Sequence, residues 1–153
     1  MKIILFQPQI PQNTGNIVRT CAVTGVELIL VKPLGFSTSN RWLKRSGLDY
    51  WEGVNVTIIE DLYHYLEETP HPFYFYSSHA TNLYTTPSYD PASILIFGSE
   101  TQGLAPIFHT TWPEKFFTIP MQKKSRCLNL SNAVSIVVYE AWRQQRFVRD
   151  AFV

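Results

Sequence analysis

Three loops in this sequence gather residues capable of chemistry. In PQNTGNIVRT, residues 11–20, a glycine turn leads into a helix whose first turns carry Arg19. An arginine at the mouth of a strand-to-helix loop can bind phosphate or stabilise a developing oxyanion. A helix cap by Asn13 and a surface ion pair at Arg19 would account for the same residues. In LIFGSETQGL, residues 95–104, Gly98 and Gly103 frame Glu100. This G-x-E-x-x-G spacing imitates a dinucleotide turn but puts a carboxylate where the middle glycine would admit a pyrophosphate. The carboxylate opposes a phosphate ligand and tolerates a phosphate-free cationic nucleoside such as S-adenosylmethionine. The plainer alternative is a glycine turn with Glu100 capping the next helix. In the third segment, residues 119–142, which joins a strand end to a helix, Asn129, Ser131 and Asn132 crowd donors and acceptors at the helix start, where four backbone amides lack partners. Capping needs one such residue, so three point to a further group being held, unless they form a redundant cap network. Lys123, Lys124 and Arg126 just before them suit an anionic partner or a solvated loop.

Each of these loops joins a strand to a helix or turn. Apolar or β-branched runs predict strands over 2–6, 27–31, 54–59, 73–78, 93–97 and 116–119. Residues 16–25 read as a helix, with Ile17, Cys21 and Val23 or Thr24 at helical spacing and Gly25 as the stop. Residues 39–47 offer a cap, a basic helical turn and a glycine, and Asp61 can cap LYHYLEE. From Asn129 to about Arg146, Leu130, Ala133, Val134, Val137, Val138, Ala141 and Trp142 form one apolar stripe, predicting a long C-terminal helix. Alternating strands and helices imply an α/β fold with a mainly parallel sheet flanked by helices, because parallel neighbours need crossovers. Ligands of such a sheet gather at the carboxyl ends of its strands.

The chain has 153 residues, 45% hydrophobic and 16% charged, which fits a single domain over residues 1–153. Its net charge of +1 gives no overall bias toward nucleic acid. The distribution does more: residues 1–45 carry six basic and one acidic side chain, 46–114 nine acidic and no Lys or Arg, and 115–153 seven basic and two acidic. Two basic ends brought together would make a surface for a polyanion, although ordinary solvated charge is the alternative. Cys21 and Cys127 are too few for a disulfide framework, and four dispersed histidines show no metal spacing, so a reduced cytoplasmic setting without metal is expected. No apolar run suits a signal peptide or a membrane span.

Taken together, the three loops resemble the motifs of the SPOUT superfamily of RNA methyltransferases, in the SpoU-like branch that methylates ribose 2′-hydroxyls. Asn13–Arg19 is similar to its first motif, Leu95–Leu104 to its second, and Ile119, Pro120 and Met121 with Leu128–Ala133 to its third. The opening FQPQIPQNTGNIVRTCA, the segment RWLKRSGLDY and the ending NLSNAVSIVVYEAWRQ resemble the tRNA 2′-O-methyltransferases of the wobble nucleotide. The likeness runs over nearly the whole chain, with residues 79–92 the least informative.

The resemblance implies a C-terminal trefoil knot, which general topological rules would exclude. It places S-adenosylmethionine among Tyr76, Ser77, Gly98, Glu100, Gly103, Ile119, Met121, Cys127 and Leu128, with Cys127 where many relatives carry serine. It further implies a homodimer with a composite active site, in which Arg19 of one subunit faces the cofactor of the other, and the C-terminal and first-motif helices form the interface. Arg19 would orient the ribose hydroxyl and stabilise the developing alkoxide, with Asn129 and Ser131 positioning Arg19 or the ribose. The expected substrate is a wobble pyrimidine in the anticodon stem-loop of leucine-accepting tRNA, read by Arg41, Lys44, Arg45, Lys123, Lys124 and Arg126. Two rivals are a catalytically idle RNA-binding module of the same fold, which the intact cofactor turn disfavours, and an NAD oxidoreductase, which Glu100 disfavours.

Overall fold

Strand β1 (Lys2–Phe6) turns Ile3 and Leu5 to one side and Ile4 to the other, and all three are fully buried. A strand covered on both sides belongs inside a parallel sheet between helical layers. The computed structural model, which describes residues 1–37, 53–123 and 125–147, has that arrangement. After β1 come α1 (Pro11–Thr24), β2 (Glu27–Val31), β3 (Val56–Ile59), α2 (Leu62–Glu68), β4 (Phe73–Tyr76), β5 (Asn82–Leu83) and β6 (Ile94–Phe97). The chain continues through α3 (Pro106–Thr111), a 3-10 turn at Pro113–Lys115, β7 (Phe116–Thr118) and α4 (Leu130–Gln144).

Seven strands pair in the order β3-β2-β1-β6-β4-β7-β5, every pair parallel. Ile4 lies in register with Ile29 on one side and Ile96 on the other. Alternate residues of the central strands therefore feed two cores. Ile3, Leu5, Leu28, Leu30, Leu95 and Phe97 meet Ile17, Val18 and Cys21 of α1 and Val134, Val137, Val138 and Ala141 of α4. Ile4, Ile29, Ile94, Ile96 and Phe75 meet Leu62 and Leu66 of α2 and Phe108 of α3. Each fully buried valine of α4 contributes about 1.5–3 kcal/mol relative to exposure.

The expected stops hold. Gly25 takes φ 64° and closes α1 with a hydrogen bond to the Cys21 carbonyl, and the Asp61 carboxylate accepts the His64 amide at 3.0 Å. Helix α1 starts at Pro11, five residues before the expected Asn16, because proline suits a first turn that needs no amide donor. The strands expected over 2–6 and 27–31 match in full, and the other four are trimmed at one end, most at 54–59 and 73–78, which begin at Val56 and end at Tyr76. Strand β5 and helix α3 were not anticipated: two exposed residues and one and a half helical turns are too short to show a period. The helical turn expected over 39–47 lies outside the described residues, as do Arg41, Lys44, Arg45 and Lys124.

Strands β1, β6, β4 and β7 are consecutive in the sheet. The segments that follow them, 7–10, 98–105, 77–81 and 119–129, consequently emerge side by side at one carboxyl edge.

Candidate active site

At that edge the four segments enclose a cavity of about 580 Å³. Nine positions expected to hold a cofactor line it together: Tyr76, Ser77, Gly98, Glu100, Gly103, Ile119, Met121, Cys127 and Leu128, joined by Asn129. An adjoining hollow of about 450 Å³ shares His79, Ile119, Met121 and Cys127 with it.

The glycine turn is closed on itself. Ser99 and Gly103 exchange two backbone hydrogen bonds of 3.0 Å, and a Cβ at Gly98 would fall 2.3 Å from the Gly103 carbonyl carbon. Gly98 is thus required for the turn to approach itself, before any ligand is considered. Gly103 meets the other requirement, with φ 68° and open space where a Cβ would sit.

Glu100 does cap a helix, but the first one. Its Oε2 accepts the Gln9 amide at 2.8 Å, and its Oε1 accepts the Ile10 amide at 3.2 Å and Asn13 Nδ2 at 3.0 Å. Ile10, at the N-cap of α1, has no side chain able to do this. The carboxylate also complements the positive end of the helix dipole. Glu100 lines the cavity with both carboxylate oxygens already engaged.

Asn13 continues the chain of contacts. Its Oδ1 accepts Asn129 Nδ2 at 2.9 Å, while Asn129 Oδ1 accepts the Ser131 amide at 2.9 Å and the Ser131 hydroxyl at 2.6 Å. One hydrogen-bonded line therefore joins all three motif loops. Asn129 is the cap of α4, Ser131 is buried behind it and outside the cavity lining, and Asn132 is exposed. Ser131 can reach a substrate only by way of Asn129. Sequence reasoning offered Asn13 only as a local cap and missed its place in the cavity wall; its partners lie near residues 100 and 129.

Tyr76 stacks on Phe97 at 4.8 Å, and its hydroxyl donates at 2.8 Å to Tyr89 Oη, which donates in turn to the Tyr84 carbonyl. Burial, reinforced by Tyr89, pushes the Tyr76 phenol well above its usual pKa. His79 and His109 also line the cavity, and no spacing signal marked them. His109 stacks on Phe116 at 3.8 Å, and burial, then the neighbouring His79, hold its pKa below 6.5.

Among the described residues no Lys or Arg lines the cavity. Apolar walls, backbone and polar groups fit a phosphate-free nucleoside. Arg19 lies outside its own chain's cavity, exposed on α1, and Lys123 and Arg126 are exposed on the 119–129 segment. Among the described residues no helix is long and apolar enough to cross a membrane, and no group of three or more His, Cys, Asp or Glu could hold a metal ion.

An all-parallel sheet with a cavity at its carboxyl edge, lined from several motif loops, defines an α/β protein with a ligand site at the strand ends. The chain belongs to the SpoU rRNA Methylase family, which residues 1–139 match. It is 45% identical over 146 residues to the tRNA (cytidine(34)-2′-O)-methyltransferase of Escherichia coli (strain K12), covering 94% of this chain and 93% of that relative. A solved structure from work on 2-OH methylation of C/U34 on tRNA superposes with a TM-score of 0.89 at 36% identity, over 96% of this chain and 97% of that one. The SpoU methyltransferase AviRb from Streptomyces viridochromogenes, in complex with AdoMet, shares the fold at 22% identity with a TM-score of 0.82, over 97% of this chain and 59% of that one.

Proposed function

We propose that this chain is an S-adenosylmethionine-dependent methyltransferase that modifies the ribose 2′-hydroxyl of the wobble pyrimidine, nucleotide 34, of tRNA. The observation that carries the reading is near full-length identity of 45% to a tRNA (cytidine(34)-2′-O)-methyltransferase, with every motif loop of that family meeting at one cavity.

S-adenosylmethionine supplies an electrophilic methyl group on a sulfonium. The walls from Gly98 to Gly103 and from Ile119 to Leu128 would hold its nucleoside by backbone groups and apolar contact, with Tyr76 and Ser77 at the end of β4. Glu100 contributes its backbone there, while its carboxylate accepts the Gln9 and Ile10 amides and Asn13. The ribose hydroxyl is a weak nucleophile until its proton begins to leave. A guanidinium cannot take that proton, so Arg19 orients the hydroxyl and stabilises the alkoxide as it forms. Asn129, oriented by Ser131, fixes the other side of the ribose.

Arg19 is exposed and does not line its own chain's cavity, which supports a homodimer in which Arg19 of the partner subunit completes each site. Helices α1 and α4 present Val23, Ile136 and Tyr139 with 59, 36 and 46% of their surfaces exposed, an apolar face suited to a second copy. The single domain, residues 1–153, carries its RNA contacts on its own basic segments: Arg41, Lys44, Arg45, Lys123, Lys124 and Arg126 would grip the anticodon stem-loop, leucine-accepting tRNAs being the expected substrates. Insertion of β7 between β4 and β5 is consistent with a C-terminal trefoil knot. A tRNA substrate implies a cytoplasmic enzyme.

The test is incubation with labelled S-adenosylmethionine and unmodified total tRNA, followed by mass-spectrometric mapping of methylated riboses. Methylation at the wobble pyrimidine is expected. Methylation confined to ribosomal RNA, or to a tRNA site outside the anticodon loop, would overturn the substrate assignment while retaining the enzyme class.

A further inference from the structure

The first turn of α1 is fastened from outside the helix. Its own N-cap residue is Ile10, and the amides of Gln9 and Ile10 are held by a carboxylate about ninety residues along the chain, in the cofactor turn. Asn13 adds a second fastening to the same carboxylate and a third to Asn129 at the start of α4. Arg19 rides on this helix six residues beyond Asn13, about 9 Å along the axis at 1.5 Å per residue. Between them α1 is continuous, and Ile17 and Val18 are fully buried against the sheet. A shift of the first turn is therefore carried to Arg19 by a stiff element.

We infer that Glu100 is a positioning residue for Arg19: the cofactor turn of one subunit sets, through α1, the guanidinium that works in the other subunit's site. The inference rests on the composite-dimer reading above. It assigns the Glu100 carboxylate to the opposite active site from the one whose wall it forms. All three hydrogen bonds that Glu100 accepts come from the start of α1 and the two residues before it, so its carboxylate is directed at that helix.

Glu100→Gln keeps the shape but replaces one acceptor oxygen by an amide group facing a backbone N–H, so one of the two amides loses its partner. In the homodimer, kcat should fall about tenfold, with the KM for S-adenosylmethionine and the affinity for S-adenosylhomocysteine changed less than about twofold. Unchanged kcat, or a loss confined to cofactor binding, overturns the inference. Heterodimers of differently tagged copies decide which site is affected. A wild-type chain is paired with a chain carrying Arg19→Ala and Glu100→Gln together. If Glu100 acts through its own Arg19, the site built from the variant's cavity and the wild-type Arg19 is intact. Activity should then equal that of the heterodimer carrying Arg19→Ala alone, about half of wild type. A drop about tenfold below that control places Glu100 in its own chain's chemistry and overturns the inference. Asn13→Ala, taken through the same pairings, tests the fastening without altering the cofactor turn and should behave alike. Pairing Arg19→Ala with Ile119→Trp, which fills the cavity from outside the glycine turn and leaves Glu100 in place, checks the underlying dimer separately. An inactive heterodimer there removes the composite site and this inference with it, whereas an active one beside a collapsed double-variant pairing removes this inference alone.

Discussion

Replacing either glycine of the cofactor turn by alanine should have different consequences, in an order that conformational preference alone would reverse. Gly103 has the left-handed φ of 68°, and Gly98 is not in that region. By backbone strain, Gly103→Ala would be the worse, costing about 1–2 kcal/mol for an L-residue held there. Contact geometry says otherwise. A Cβ at Gly103 meets nothing within 4 Å, whereas one at Gly98 lies 2.3 Å from the Gly103 carbonyl carbon and 2.6 Å from its Cα and oxygen. Ordinary carbon contacts begin near 3.5 Å, so the two arms must part by about 1 Å. Parting them sacrifices both Ser99–Gly103 hydrogen bonds, worth about 0.5–1.5 kcal/mol each, and moves the backbone that lines the cavity. Gly98→Ala should therefore lose S-adenosylhomocysteine affinity by about 10- to 100-fold, and Gly103→Ala by less than about tenfold. Isothermal titration calorimetry measures both, with urea midpoints confirming that each variant is folded. Wild-type affinity in folded Gly98→Ala, or a larger loss in Gly103→Ala, would refute the reasoning.

Tyr89→Phe strands the Tyr76 hydroxyl and the Tyr84 carbonyl together, so it should cost about 2–3 kcal/mol in urea unfolding. Tyr76→Phe strands no donor and should cost less than half as much; equal losses would contradict the direction of donation. Burial pushes the Cys21 thiol up to about 12, while Cys127 is exposed in the cavity wall. Iodoacetamide at pH 8 should label Cys127 alone, and saturating S-adenosylhomocysteine should slow it at least about fivefold; undiminished labelling would move the ligand away from Cys127. His109 has a folded pKa below its ordinary 6.5 because of burial and His79, so between those values the unfolded chain binds more protons. Its contribution, fully present above 6.5, is lost as pH falls toward the folded value. The drop in urea midpoint from pH 7.5 to 5.5 should be smaller in His109→Gln than in wild type, and an equal drop would show that His109 is not responsible.

The layers were legible because burial on two faces writes itself into short runs. ELILV and SILIF each send alternate residues into the two cores, and Val134, Val137 and Val138 keep the helical stripe against the sheet. Gly25 and Asp61 act within a few residues of themselves, so local chemistry was enough to read them. Tyr89 was not legible: its role depends on Tyr76 and on the Gln144 side chain that accepts its amide, neither of them a sequence neighbour in any periodic sense. His79 and His109 reach one cavity from segments after β4 and within α3, a meeting that only the strand order produces.

Glu100 shows most plainly where reading along the chain stops. The residue type and its glycine frame argue against a pyrophosphate from the sequence alone. Which helix it caps was decided elsewhere, by β1 and β6 pairing in parallel register so that the segment after one faces the segment after the other. That adjacency puts the amides of Gln9 and Ile10 beside a carboxylate that local rules would have given to the helix following it. It also explains the early start of α1. With its first amides satisfied from another loop and Pro11 needing none, the helix can begin at Pro11 rather than at Asn16, which frees Asn13 from local capping to join Glu100 to Asn129. The same pairing that buries β1 thus spaces Arg19 from the cofactor turn, and a change in the register of β1 against β6 would move both together.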